Sequence, residues 1–135
     1  MAGKNSIAVV DDDESVRRAI GRLLQSSGYD FTGYESADDF LNPDNFRVPD
    51  CMVLDLTMPG LDGFGLIKRL DNQGFTFPVI IITAHGDDNY RQRARFAGAT
   101  DFLPKPFTNT EILEAIRVAL SSSPRSQEDH VGGRS

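Results

Sequence analysis

The stretch IAVVDDDESVRRAIGRLLQSSG, residues 7–28, changes its hydrophobic period once, and the change falls on an acidic cluster. Ile7 to Val10 is a continuous apolar run, the pattern of a strand buried on both faces. From Glu14 the apolar residues recur at helical spacing, at Val16, Ile20, Leu23 and Leu24, with Arg17, Arg18 and Arg22 on the other side. Gly28 ends that helix, because a helix commonly closes on a glycine. Asp11, Asp12 and Asp13 stand between strand and helix. The expected unit is a buried strand that delivers three carboxylates to the start of a helix.

Beyond Gly28 the same alternation continues. Tyr29 to Tyr34 reads as a weaker strand, and Ser36 to Leu41 as a short helix with Ser36 at its N-cap, Asp39 three residues on and Pro43 as its stop. Cys51 to Leu54 is a second strong buried run. Leu66, Ile67 and Leu70 restore the helical period until Gly74. Val79 to Ile82 is a third buried strand, introduced by Pro78. Asp87 to Ala97 is a helix with a thin stripe of Tyr90, Ala94 and Ala97, capped by Gly98. Thr100 to Leu103 makes a last short strand. Thr108 to Glu111 is a capping box, and Ile112, Leu113, Ile116 and Leu120 form the apolar face of the final helix. Five strand–helix pairs predict an α/β fold, a parallel sheet with helices on both faces. Right-handed crossovers make it an open, doubly wound sheet. Residues 1–121 are expected to form one domain, and 122–135, rich in Ser and Gly, a flexible tail or the start of a linker.

Composition narrows the function. Fourteen Lys and Arg against twenty Asp and Glu give a net charge of −6, so no basic face for nucleic acid is advertised. One cysteine, Cys51, excludes an internal disulfide framework and a multi-cysteine zinc site. No apolar run reaches the roughly 18 residues of a membrane span, and the N-terminus has no signal-peptide pattern. A cytoplasmic setting is the expectation.

In open α/β sheets the functional crevice lies beyond the carboxyl ends of the strands. At those ends stand Asp11 to Asp13, Asp55, Thr83 followed by His85, and Lys105 between two prolines. Each has an ordinary structural reading: acidic residues cap a helix, a carboxylate suits a turn, a threonine suits a strand. Their coincidence at one crevice favours chemistry. Neighbouring carboxylates repel unless a cation compensates. With no His or Cys beside them, a hard ion such as Mg²⁺ fits, sharing its remaining positions with phosphate. A lysine and a hydroxyl opposite suit the other phosphoryl oxygens. The nucleophile is then expected to be a carboxylate.

Four segments carry a resemblance: VVDDDE at 9–14, VLDLTMPGLDG at 53–63, IITAHGD at 81–87 and FLPKPF at 102–107. In this order, each after an expected strand, they resemble the receiver domain of bacterial two-component response regulators, over about residues 5 to 120. The resemblance implies a flavodoxin-like (βα)₅ sheet of strand order 2-1-3-4-5. It implies Asp55 as phosphoacceptor. Asp12 resembles the direct Mg²⁺ ligand, and Asp11 the neighbour that holds the ion directly or through water. Asp55 and the backbone carbonyl of Thr57 complete the metal site, with Mn²⁺ as a substitute ion. Thr83 resembles the switch hydroxyl, Lys105 the phosphoryl-pairing lysine and Phe102 the aromatic switch that turns inward. Pro106 implies a cis Lys–Pro bond. Thr57 and His85 stand where the family tunes phosphoryl lifetime. Asp13 matches no ligand and reads as helix-start chemistry.

The implied partners are a sensor histidine kinase or phosphotransfer protein as donor, and a downstream protein or a second copy as receiver of the output. The output surface would comprise the fourth helix, fifth strand and fifth helix, with no direct nucleic-acid or membrane binding. The fourth helix carries Arg91, Arg93 and Arg95, which serve either as a solvated face or as a partner contact. A stand-alone receiver is the favoured form; the alternative is a receiver cut from a DNA-binding transcriptional regulator, since TMPGLDG and IITAHGD are similar to receivers that precede helix-turn-helix domains. An aspartyl-phosphate phosphatase is disfavoured, because Asp55 is followed by Leu56 and Thr57 rather than by a second acid two residues on. A flavin module is disfavoured because Asp11 to Glu14 would repel its phosphate.

Overall fold

The structure, a computed structural model, describes residues 4–56, 63–84, 86 and 88–121. Five strands and five helices alternate: β1 (Ser6–Val10), α1 (Glu14–Ser26), β2 (Asp30–Tyr34), α2 (Ala37–Leu41), β3 (Cys51–Asp55), α3 (Gly63–Asn72), β4 (Val79–Thr83), α4 (Asp88–Phe96), β5 (Asp101–Pro104) and α5 (Asn109–Leu120). All strand pairs are parallel, in the order β2-β1-β3-β4-β5. This is the doubly wound, flavodoxin-like α/β fold expected, with the expected strand order.

The buried runs explain the centre of the sheet. β3 and β4 are buried at every position, and strand parity divides their side chains between two cores. Ala8, Val10, Met52, Leu54, Val79 and Ile81 face the side covered by α2, α3 and α4, where Phe40, Leu66 and Leu70 pack. Ile7, Val9, Cys51, Val53, Ile80 and Ile82 face α1 and α5, against Ile20, Leu24, Ile112 and Ile116. Asp30 and Thr32 on β2 are exposed, as befits an edge.

Helix ends follow local chemistry. Asp13 caps α1 by accepting from the Ser15 and Val16 amides, Ser36 caps α2, and Thr108 with Glu111 forms the capping box of α5. Gly28, Gly74 and Gly98, the three expected stops, take φ of +93°, +87° and +92°, a left-handed conformation that suits glycine. One face departs from expectation. α5 buries Ala115 and Ala119 beside Ile112 and Ile116, while Leu113 and Leu120 are half-buried at its flank. The buried face thus combines small and large side chains, which interdigitate with the sheet at close-packed density.

α4 is thinly anchored. Ala94 is its one buried residue, and Phe96 is 97% exposed. Arg93 stacks over the rings of Phe64, at 4.4 Å, and Tyr90, at 5.6 Å, linking α4 to the start of α3. Among the described residues no helix is long and apolar enough to cross a membrane.

Gly63 sits where α3 meets the end of β3. A Cβ there would lie 2.8 Å from Leu56 Cδ2 and 3.2 Å from the Asp55 carbonyl oxygen. The backbone contact has no rotamer to yield. Gly63→Ala is therefore expected to destabilise the fold by about 1–3 kcal/mol despite alanine's better helix propensity. Urea unfolding checks it; unchanged stability would show that the helix start slides freely.

Candidate functional site

The parallel order brings β1, β3, β4 and β5 side by side with their carboxyl ends on one edge. Asp11 follows β1 and Lys105 follows β5, while Asp55 ends β3 and Thr83 ends β4. Register fixes the neighbours: Val10 lies across from Leu54, Asp55 from Ile82, and Thr83 from Pro104. The apolar strands bury deeply, so the first polar residue after each remains partly enclosed. Asp11 is 0%, Asp55 3% and Thr83 0% exposed.

Asp11, Asp12 and Asp55 each offer one carboxylate oxygen, and these three atoms lie within 4.8 Å of one another. Lys105 Nζ stands 3.2 Å from Asp11 Oδ2 and 3.4 Å from Asp55 Oδ1. The Lys105–Pro106 bond is cis, as the resemblance implied. Asp11 is held from every side. Its amide donates to the Tyr34 carbonyl at 3.0 Å. Its Oδ1 accepts from the Asp13 amide at 2.9 Å. Its carbonyl accepts from Arg17 Nη1 at 2.6 Å. Asp12, by contrast, is exposed and faces solvent beside the two enclosed acids.

The electrostatics are unbalanced. Burial, and then the Asp11 carboxylate, push the Asp55 carboxyl up to about 6; Lys105 opposes this without cancelling it. Burial alone would lower the Lys105 ammonium, but Asp11 and Asp55 outweigh it and raise the group above its ordinary value. Three carboxylates thus face one close ammonium. The donors are all hard oxygens, two of them enclosed and one open to solvent, which fits a hard divalent cation. Asp13 plays no part in the cluster. Its carboxylate accepts from the Ser15 hydroxyl at 2.6 Å, and that bond, followed by the Val16 and Ser15 amides, holds it below the usual range. It caps α1, as read from the sequence. Cys51 is buried, and burial pushes its thiol up to about 12, so it is an unreactive core residue.

Four of the expected groups therefore meet: Asp11, Asp12, Asp55 and Lys105. Thr83 lies at the same edge, wholly buried. Phe102 lies one strand away, across from Ile81, and its ring is already buried with Arg91 stacked 4.8 Å above it. Thr57 and His85 lie outside the described residues. Two features were not foreseen. One is the Arg17 contact to the Asp11 carbonyl, for which helical periodicity holds no signal. The other is an apolar groove of about 330 Å³ between α1 and α5, lined by Val16, Ala19, Ile20, Leu23, Pro106 and Phe107 and opening beside Lys105.

Comparison with known proteins bears on this geometry. The family model described as response regulator receiver domain matches residues 7–117. The transcriptional regulatory protein FixJ of Azorhizobium caulinodans is 40% identical over 125 residues, 91% of this chain and 59% of that protein. The response regulator protein TodT of Pseudomonas putida is 37% identical over 123 residues, 91% of this chain and 54% of that protein. The chain thus spans a little over half the length of these relatives. Among solved structures, a response regulator receiver protein from Burkholderia phymatum superposes with a TM-score of 0.76 at 42% identity, covering 90% of this chain and 98% of that one. A domain of this kind is a signalling phosphoacceptor that takes a phosphoryl group on an aspartate, not a catalytic enzyme, and its donor is a histidine kinase. The phosphatase and flavin readings fall with that finding. The chain belongs to the response regulator receiver domain family.

Proposed function

We propose that Asp55 is the phosphoacceptor and that Asp11, Asp12, Asp55 and the Thr57 carbonyl hold a Mg²⁺ ion, for which Mn²⁺ substitutes. The observation that carries this is the convergence of three carboxylate oxygens within 4.8 Å, with Lys105 alongside. When bound, the ion neutralises carboxylate charge and polarises the phosphoryl oxygens. An Asp55 carboxylate oxygen attacks the phosphorus of a phosphohistidine in line. The phosphorus–nitrogen bond breaks, its electron pair leaves on the imidazole, and an acyl phosphate remains on Asp55. Lys105 stabilises the charge on the transferring group. Water later hydrolyses the acyl phosphate, with Thr57 and His85 setting its lifetime.

The output is electrostatic in origin. New negative charge beside Thr83 and Lys105 draws the Thr83 hydroxyl, and the rearrangement passes to Phe102 and the α4-β5-α5 surface. A downstream protein or a second copy of the chain reads that surface in the cytoplasm, with no nucleic acid or membrane bound directly. Residues 1–121 make up the receiver, and 122–135 a tail or linker start. The length of the relatives favours a second reading of the output, in which this receiver controls a DNA-binding domain in a longer chain.

The donor must bring its phosphohistidine to Asp55, so its docking surface borders the site. The α1–α5 groove beside Lys105 suits an apolar ridge on a histidine kinase or phosphotransfer protein. Ala19 is exposed on its wall. Ala19→Arg is expected to slow transfer from a histidine kinase roughly tenfold, the equivalent of about 1.4 kcal/mol of docking energy, while phosphorylation by acetyl phosphate is unchanged. Equal slowing with both donors would place the fault in the site rather than in docking. For the reading as a whole the test is intact mass after incubation with acetyl phosphate. One phosphoryl group should be gained with Mg²⁺ and none in its absence.

A further inference from the structure

We propose that Arg17 is a positioning residue for the cation site, its guanidinium holding the Asp11–Asp12 peptide so that both carboxylates are presented to the ion. This rests on the metal reading above and adds to it a residue that is not a ligand.

Arg17 lies one turn into α1, its amide bonded to the Asp13 carbonyl at 3.1 Å. Its side chain folds back toward the strand, and Nη1 donates to the Asp11 carbonyl at 2.6 Å. The contact is half-buried. The arginine stem runs past Gly33 on β2, where even a Cβ would lie in ordinary van der Waals contact, 3.4 Å from Arg17 Cδ. The Asp11 amide is already fixed to Tyr34. The carbonyl belongs to the next peptide, the one that joins Asp11 to Asp12, so the Arg17 bond restrains rotation of that plane. That plane sets where the exposed Asp12 carboxylate starts. Asp12 is the member of the triad that no neighbouring element encloses, so its placement depends on the backbone beneath it. The Arg17 guanidinium bonds the Asp11 carbonyl rather than a carboxylate of the triad, so it acts through the main chain. Arg18, its neighbour, points away and pairs with Glu14 in solvent.

The sign of one measurement separates this role from simple charge. A cation near a divalent-ion site repels the ion, so removing Arg17 by charge alone tightens binding. Loss of positioning loosens it, and removal of an outer-shell partner commonly weakens metal affinity roughly tenfold or more. The experiment is isothermal titration of Mg²⁺ and of Mn²⁺ into the whole chain, well below its melting temperature. Wild type, Arg17→Met and Arg18→Met are compared, with melting temperatures recorded without metal. The expected result is about tenfold weaker binding of both ions by Arg17→Met, and unchanged or slightly tighter binding by Arg18→Met. Wild-type or tighter affinity in Arg17→Met, even with a lowered melting temperature, overturns the proposal and leaves Arg17 a purely structural residue. If Arg17→Met does not fold, Arg17→Gln, whose amide falls short of the carbonyl, is judged by the same rule. A wild type that binds neither ion overturns the metal reading and this inference together.

Discussion

Asp55→Asn is expected to take up no phosphoryl group from acetyl phosphate or from a histidine kinase, with or without Mg²⁺. The substitution keeps the shape of the side chain and removes its nucleophile. An amide oxygen offers no anionic lone pair to phosphorus, and its nitrogen is a poor nucleophile. The neighbours do not replace it. Asp11 is committed to Lys105 and to the Asp13 amide, and Asp12 is exposed at the margin of the site. The phosphoryl oxygens would still meet Lys105, so binding of the donor is retained while chemistry stops. Intact mass spectrometry reads the result directly. A phosphoryl adduct forming on Asp55→Asn at the wild-type rate would falsify the assignment and turn attention to Asp12.

The same variant is expected to be more stable than wild type in the absence of metal. In the fold, the Asp55 carboxyl titrates at about 6 rather than 3.8, mainly from burial and then from Asp11. The folded state therefore binds a proton more tightly than the unfolded chain. Between about pH 4 and pH 6 the unfolded chain loses that proton while the folded protein keeps it, so stability falls as pH rises through this window. Above it the cost is complete, with a ceiling of about 3 kcal/mol. Asparagine cannot ionise and escapes it. The stability gap between Asp55→Asn and wild type should widen by about 2 kcal/mol from pH 4.5 to pH 7.5, measured by urea unfolding with chelator present. Saturating Mg²⁺ should close much of the gap by stabilising the ionised wild type. A gap independent of pH would mean that Lys105 already balances the site.

Most of the fold was legible because parallel sheets write a simple pattern. β1, β3 and β4 are built on unbroken apolar runs, and each run is followed directly by a residue at the crevice edge, Asp11, Asp55 or Thr83. The position of Asp11, Asp55, Thr83 and Lys105 at one edge followed from topology before any distance was known. The face of α5 was less legible. Periodicity gives weight to large apolar residues, whereas the buried face also takes in the small side chains of Ala115 and Ala119 beside Ile112 and Ile116. Arg17 was not legible at all. On a helical wheel it belongs with Arg18 and Arg22 on the polar side, and its target is a main-chain carbonyl six residues back, which no side-chain pattern records. The α1–α5 groove escaped for a related reason. A gap between two helices depends on their separation, and no residue pattern records that distance.

The single buried side chain of α4 has a consequence for how little force the domain needs in order to signal. Ala94 contributes one methyl group to the core, about 0.8 kcal/mol, and the arginine stacks at the surface add about 0.5–1 kcal/mol each. A charge-assisted hydrogen bond is worth about 1.5–3 kcal/mol. One new bond of that kind at the neighbouring end of β4 outweighs the deepest anchor that the helix possesses. The sheet beneath, buried at every position of β3 and β4, is far too costly to distort. On the proposed mechanism a local chemical event would displace one light part against a stiff frame, and loss of the modifying group would undo the displacement.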